Sequence, residues 1–124
     1  MFLLDSNVII DYLSNKLSEN GIVFLEKILV PQISVVTRIE LSILPNASSN
    51  HLKIVNEYLS YCKIFDLSEE VVLKVIEIRK KYKIRDFDSI IAATALVKNL
   101  TIITNDKDFN NIKKLKVVNL YKLS

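Results

Sequence analysis

Apolar residues arrive in short runs, separated by stretches where they recur every three or four positions. Phe2–Leu4 reads as a short buried strand, followed by a helical stretch from Val8 to Leu13. Between Gly21 and Leu29 the residues Ile22, Leu25, Ile28 and Leu29 keep helical spacing, and Pro31 breaks it. Ile33–Val36 is the next expected strand. Thr37 is the expected N-cap of a helix carrying Ile39, Leu41 and Ile43, which Pro45 ends. The polar cluster 46–50 is the chain's loop-like segment, and a helix is expected near Leu52–Leu59. Cys62–Phe65 reads as a strand. Ser68 then caps a long helix ending near Tyr82, with Val72, Val75, Ile76 and Arg79 along one side. A helix over about Phe87–Asn99 contains IIAATAL, whose alanines permit close packing against a sheet. Strands are expected at Thr101–Thr104 and Val117–Leu120.

Strands alternating with helices imply parallel βα units with helices on both faces of the sheet. The 124 residues suffice for a single domain over 1–124 with a substantial core, and no repeat, low-complexity tract or inner linker interrupts them.

Scarcity narrows the chemistry. The one glycine, Gly21, excludes a P-loop, a GxGxxG turn and a GxSxG elbow. The one histidine, His51, lies in the polar string SSNHLK, where a solvated side chain is expected. With Cys62 as the only cysteine, neither an internal disulfide nor an ordinary zinc site is readily built. No apolar run approaches a membrane span, and MFLL reaches Asp5 before any signal-peptide core forms. A reducing cytoplasm is the expected compartment. What remains is carboxylate chemistry.

Asp5, Glu40, Asp88 and Asp106 are far apart in the chain, yet each lies at or near the edge of an apolar segment. In a parallel sheet such positions converge at the carboxyl edge, where open α/β folds hold their sites. Two like charges 4 Å apart repel by about 4 kcal/mol at an effective dielectric near 20, so a persistent cluster points to a divalent cation. Each acid also has an ordinary explanation. Asp5 and the Asp86/Asp88 pair suit helix N-termini, Glu40 suits a helix surface, and Asp106 with Asp108 suits an Asx turn. Net charge is +3, from 17 basic and 14 acidic residues; with the four acids confined to one site the remainder carries +7, which suits a polyanionic substrate.

Taken together and in order, LDSNVIIDYL, VVTRIEL, DSIIAATAL and ITNDKDF resemble the PIN-domain nucleases, in particular the VapC-type toxins of bacterial toxin–antitoxin pairs. The resemblance covers nearly the whole chain. It implies a three-layer α/β/α sandwich around a central parallel sheet and hydrolysis of RNA with Mg²⁺ or Mn²⁺. It carries the metal-binding acids onto Asp5, Glu40, Asp88 and Asp106, and polar positions beside the first acid onto Ser6 and Asn7. Asp108 matches a variant of the fourth acid, ranked behind Asp106. A cognate antitoxin and a homodimer are the implied partners, and a solitary RNA-processing nuclease is the alternative within the family. Outside it, a receiver domain using Asp66 lacks the acidic pair after the first strand. A haloacid-dehalogenase-type phosphatase meets Asn7 where its second aspartate belongs. A non-catalytic nucleic-acid- or partner-binding domain is the non-enzymatic alternative.

Overall fold

Strands of only two or three residues suffice here because every one is paired in parallel and covered by helices. The computed structural model describes residues 1–122. Strand β1 (Phe2–Leu4) pairs in parallel with β4 (Thr101–Ile103), and β4 pairs in parallel with β5 (Val117–Val118). A second ladder joins β2 (Gln32–Ser34) in parallel to β3 (Lys63–Phe65). β1 lies beside β2, and the Gln32 side chain donates from Nε2 to the Phe2 carbonyl at 3.4 Å. The ladders β1-β4-β5 and β2-β3 are separate, and β2 lies alongside β1 without backbone pairing, so the strands follow the spatial order β3-β2-β1-β4-β5.

Successive strand residues point to opposite faces, and the core divides accordingly. Leu3 and Ile102 face α5 (Glu69–Lys81) and α6 (Asp86–Lys98), in a cluster with Val71, Ile78, Ile91 and Ala92. Leu4 and Ile103 face the other way, toward α1 (Ser6–Leu13), α2 (Glu19–Glu26) and α4 (Ser49–Ser60), in a cluster with Val8, Ile9, Leu25 and Val55. Helix α3 (Val35–Ser42) serves both, with Val36 in the first cluster and Leu41 in the second. The result is the expected three-layer α/β/α sandwich. Ala92, Ala93 and Ala95 are fully buried, which lets α6 approach closely enough for its first turn to reach the strand ends.

Three elements depart from the sequence reading. β2 stops at Ser34, and Val35 and Val36 already belong to α3. The cap is Ser34, whose hydroxyl accepts from the Val36 amide at 3.2 Å, while Thr37 is buried inside the helix. Local capping thus overrides the β preference of the valines, and tertiary burial of Val36 compensates their low helix propensity. Helix α2 begins at Glu19, capped by Ser18, and ends at Glu26, so Leu29 lies outside it and is 94% exposed. The buried side of α5 is centred on Val71 and Ile78; of the expected side Val72, Val75, Ile76 and Arg79, Val75 packs against that cluster. Ile76 and Arg79 are exposed. Both sides satisfy helical periodicity, and packing against α6 selects between them. Other boundaries move by one to three residues, and Leu120 falls in a 3-10 turn (Leu120–Lys122) beyond β5.

Removing the α3 cap by Ser34→Ala should lower unfolding free energy by about 1 kcal/mol. Thr37→Val should cost nothing or raise stability, because the Thr37 hydroxyl is buried with no partner among the described residues. Urea denaturation of both variants checks the assignment; the opposite order would return the cap to Thr37.

Candidate active site

Each acid reaches the carboxyl edge by a different local device. Asp5 directly follows β1, and its amide donates to the Ile103 carbonyl at 3.0 Å, extending the β1–β4 ladder by one rung. Its extended backbone makes it the N-cap of α1. The carboxyl accepts from the Ser6 backbone N–H at 2.8 Å through Oδ1, and through Oδ2 from the Thr104 hydroxyl at 2.7 Å and Asn7 Nδ2 at 3.1 Å. Three donors from two chain segments hold a side chain that is 3% exposed.

Ser6 and Thr104 pass this order outward. The Ser6 hydroxyl donates to Glu40 Oε1 at 3.1 Å, which brings the helix after β2 to the edge where β1 ends. The Thr104 hydroxyl accepts from the Asp106 amide at 3.0 Å. Asp106 in turn caps a short 3-10 turn (Lys107–Asn111), accepting from the Asp108 amide at 2.9 Å through Oδ1. The Asx turn expected from TNDKDF is therefore present, and it leaves Oδ2 of Asp106 facing Arg85.

On the far side, α6 opens at Asp86 with Arg85 as its N-cap residue, and no side chain caps it. Neither Asp86 nor Asp88 fills that role. Asp86 points outward and pairs with Arg79. Asp88, 6% exposed, sits in the first turn, where the positive end of the helix dipole favours a carboxylate. Arg85 donates to Asp88 Oδ2 from Nε at 2.9 Å, and its Nη2 lies 2.8 Å from the same oxygen and 3.3 Å from Asp106 Oδ2. Carboxylate oxygens of Asp88, Asp106 and Asp108 lie within 4.8 Å of one another.

The expected acids are thus gathered at one edge in two subsets: Asp5 and Glu40 joined through Ser6, and Asp88 and Asp106 joined through Arg85. Asp108 stands with the second subset. Thr104 and Arg85 are the partners that sequence reasoning undervalued. Thr104 was expected to close a strand two residues before Asp106, and neither its bond to Asp5 nor that of Arg85 to Asp88 was anticipated. A hydroxyl immediately beyond a strand, two residues before an acid, was the available signal.

Electrostatic repulsion couples the subsets. Burial is the main cause raising the Asp5 carboxyl above its ordinary value of 3.8; the Thr104 and Ser6 bonds oppose it, and the charges of Asp88 and Asp106 add to it. Burial likewise lifts Glu40 above 4.5, against the Ser6 bond and with help from Asp5 and Asp88. Asp88 is raised by burial even though Arg85 pulls the other way. One guanidinium does not neutralise this edge.

The donor set suits a hard divalent cation: all donors are oxygens, three carboxylates share one small volume, and sulfur and imidazole are absent among them. Beside Asp5, the Asn7 side-chain oxygen is buried with no hydrogen-bond partner among the described residues, an acceptor left over for a further donor or water.

The family model described as PIN domain matches residues 2–115. Among solved structures, the chain is similar to one in a toxin–antitoxin complex from Klebsiella pneumoniae, at 28% identity, over 95% of this chain and 96% of that chain, with TM-score 0.79. It shares the fold of DNA-bound VapBC from Salmonella typhimurium (23% identity, 96% and 97% covered, TM-score 0.83). It shares that of FitAcB from Neisseria gonorrhoeae as well (24% identity, 98% and 99% covered, TM-score 0.81). No curated protein compared by sequence matches the chain.

The raised carboxyls set the pH dependence of the cation-free protein. Groups whose folded values exceed their unfolded ones hold protons longer when folded, so their contribution is full below the unfolded values, 3.8 for aspartate and 4.5 for glutamate. It is lost as pH rises through the raised folded values. Without divalent ions the thermal midpoint should therefore fall across this window, and Mg²⁺ should restore it at neutral pH. Glu40→Gln keeps an acceptor for Ser6 and removes one charge; at pH 7.5 in EDTA its midpoint should rise by about 2–4 °C. Thermal melts with and without Mg²⁺ check this, and a drop in the Glu40→Gln midpoint would contradict the electrostatic account.

Proposed function

This chain belongs to the PIN-domain family, and we propose that it is a metal-dependent endoribonuclease, the VapC-type toxin of a toxin–antitoxin pair, built as a single domain over residues 1–124. The observation that carries the reading is the buried, triply hydrogen-bonded Asp5 facing Asp88 and Asp106 across the strand ends. Fixing ionisable groups this firmly against their mutual repulsion suits a reaction centre more than a structural turn.

In this reading Asp5 and Asp88 are the principal ligands and Glu40 and Asp106 complete the set; Asp88 and Asp106 form one compact oxygen group with Asp108, whereas Asp5 and Glu40 stand outside that group and enter by the family resemblance. Bound there, Mg²⁺ or Mn²⁺ supplies charge neutralisation at the scissile phosphate and eases deprotonation of water. The chain's own groups do the rest. Ser6, Asn7 and Thr104 hold Asp5 in one orientation, so it needs no rearrangement when the substrate arrives. Glu40, half-buried, hydrogen-bonded to Ser6 and with raised proton affinity, is suited to orient the attacking water and take its proton. Arg85 is then free to turn from Asp88 and Asp106 toward the phosphate.

An antitoxin is the proposed protein partner. Two of the structural relatives above are named as a toxin–antitoxin complex and a VapBC assembly. On this chain Leu29, Val30 and Tyr61 are exposed, and Leu29 and Tyr61 border a cleft lined also by Tyr12, Leu25 and Tyr58. Apolar residues grouped at a cleft suit protein contact more than solvent. That patch favours the toxin over the solitary processing nuclease, which would share the same acids. A homodimer and a cytoplasmic location complete the reading.

Purified, antitoxin-free protein should cleave a mixed tRNA and rRNA substrate with Mg²⁺ or Mn²⁺ and stop in EDTA. Asp5→Asn and Asp88→Asn should each lose at least about 100-fold in rate. Absence of cleavage by the metal-loaded wild type, or equal cleavage by all variants, would overturn the enzyme in favour of a binding domain.

A further inference from the structure

The segment Arg79–Arg85, RKKYKIR, holds five of the chain's 17 basic residues and none of its 14 acidic ones. The remainder of the chain therefore carries 12 basic against 14 acidic residues, so the whole net positive charge resides in these seven positions. A helix dipole accounts for part of this, since Arg79, Lys80 and Lys81 form the last turn of α5. It does not account for Lys83 and Arg85, which lie past Tyr82, where the backbone has turned extended. Nor does ion pairing account for the rest. Arg79 pairs with Asp86 and Arg85 with the site acids, whereas Lys80, Lys81 and Lys83 have no carboxylate within ion-pair distance among the described residues.

Geometry gives the run a direction. At one end the exposed Arg85 reaches Asp88 and Asp106. Arg79 to Ile84, the six residues directly before it, line an open cleft. Tyr82 anchors the run, its hydroxyl accepting from the Lys113 amide at 3.2 Å, so Lys113 and Lys114 border the adjoining cleft with Lys81.

We propose that Arg79–Arg85 is the track on which the phosphodiester backbone of single-stranded RNA lies as it enters the carboxylate site. Lys80, Lys81 and Lys83 contact successive phosphates, and Arg85 meets the phosphate nearest the reacting one. The assignment rests on the nuclease reading for its substrate class, but its contacts are to phosphate and do not require cleavage. Backbone contacts of this kind confer affinity and salt dependence without base preference.

The test is equilibrium binding of a fluorescein-labelled 20-nucleotide single-stranded RNA in EDTA, followed by fluorescence anisotropy across a salt series. Lys81→Glu/Lys83→Glu should weaken binding at least tenfold at about 0.1 M salt, and the log–log salt slope should shrink by about 0.7 per lysine. The control pair Lys16→Glu/Lys53→Glu, of equal charge change at exposed positions elsewhere, should stay within about twofold of wild type in affinity. In cleavage assays with Mg²⁺ the track variant should raise KM and leave kcat near wild type. Matching thermal midpoints confirm that both pairs fold. Equal weakening by the control pair, or an unchanged slope in the track variant, would overturn the track. So would equally tight, equally lysine-dependent binding of duplex DNA. Cleavage with unaltered KM in the track variant would overturn the track while leaving the nuclease standing. RNA bound through Lys81 and Lys83 by a wild type that cuts nothing would do the reverse.

Discussion

The Asp5 carboxyl ties two strand ends into one edge, and the arrangement of the other acids depends on it. A carboxylate taken out of water is costly unless hydrogen bonds replace the lost hydration. Here the replacements come from the first turn of α1, through the Ser6 amide and Asn7, and from the residue after β4, through Thr104. Bonds to charged acceptors are worth about 1.5–3 kcal/mol each, enough to hold the side chain rigid, yet burial still raises its proton affinity. The edge is thereby organised and charged, with a deficit of positive charge that Arg85 meets only in part.

That edge exists because the sheet is parallel and both of its faces are covered. Alternation within β1 and β4 sends Leu3 and Ile102 one way and Leu4 and Ile103 the other. The alanines of α6 let its N-terminal turn sit against the strand ends, which carries Asp88 to Asp106. A larger residue at Ala92 or Ala93 would push the helix outward and separate these acids. Core packing and site geometry are in this sense one constraint.

Much of this was legible in the chain, for identifiable reasons. Short apolar runs and period-3.6 patterns located the five strands and six α-helices of the described residues, and the order of acidic motifs pointed to one edge. The α2, α3 and α5 details were not legible. Ser34 and Thr37 are both competent caps, and only the fold decides which of them meets a free amide. On α5 two apolar stripes compete, and the partner helix chooses Val71 and Ile78. The same limit applied at the site. Asp106 and Asp108 differ by two residues, and spacing cannot say that both approach Asp88; nor can it reveal that Thr104 links Asp5 to Asp106 across 99 positions from the first acid.

The central claim is that these carboxylates are held together to receive a divalent cation. The most direct measurement is a Mn²⁺ titration followed by electron paramagnetic resonance, comparing wild type with Asp88→Asn and Asp106→Asn/Asp108→Asn. The account predicts saturable binding by the wild type and at least a tenfold loss of affinity in each variant. Wild-type protein that leaves millimolar Mn²⁺ free in solution, or variants that bind it equally well, would contradict the account.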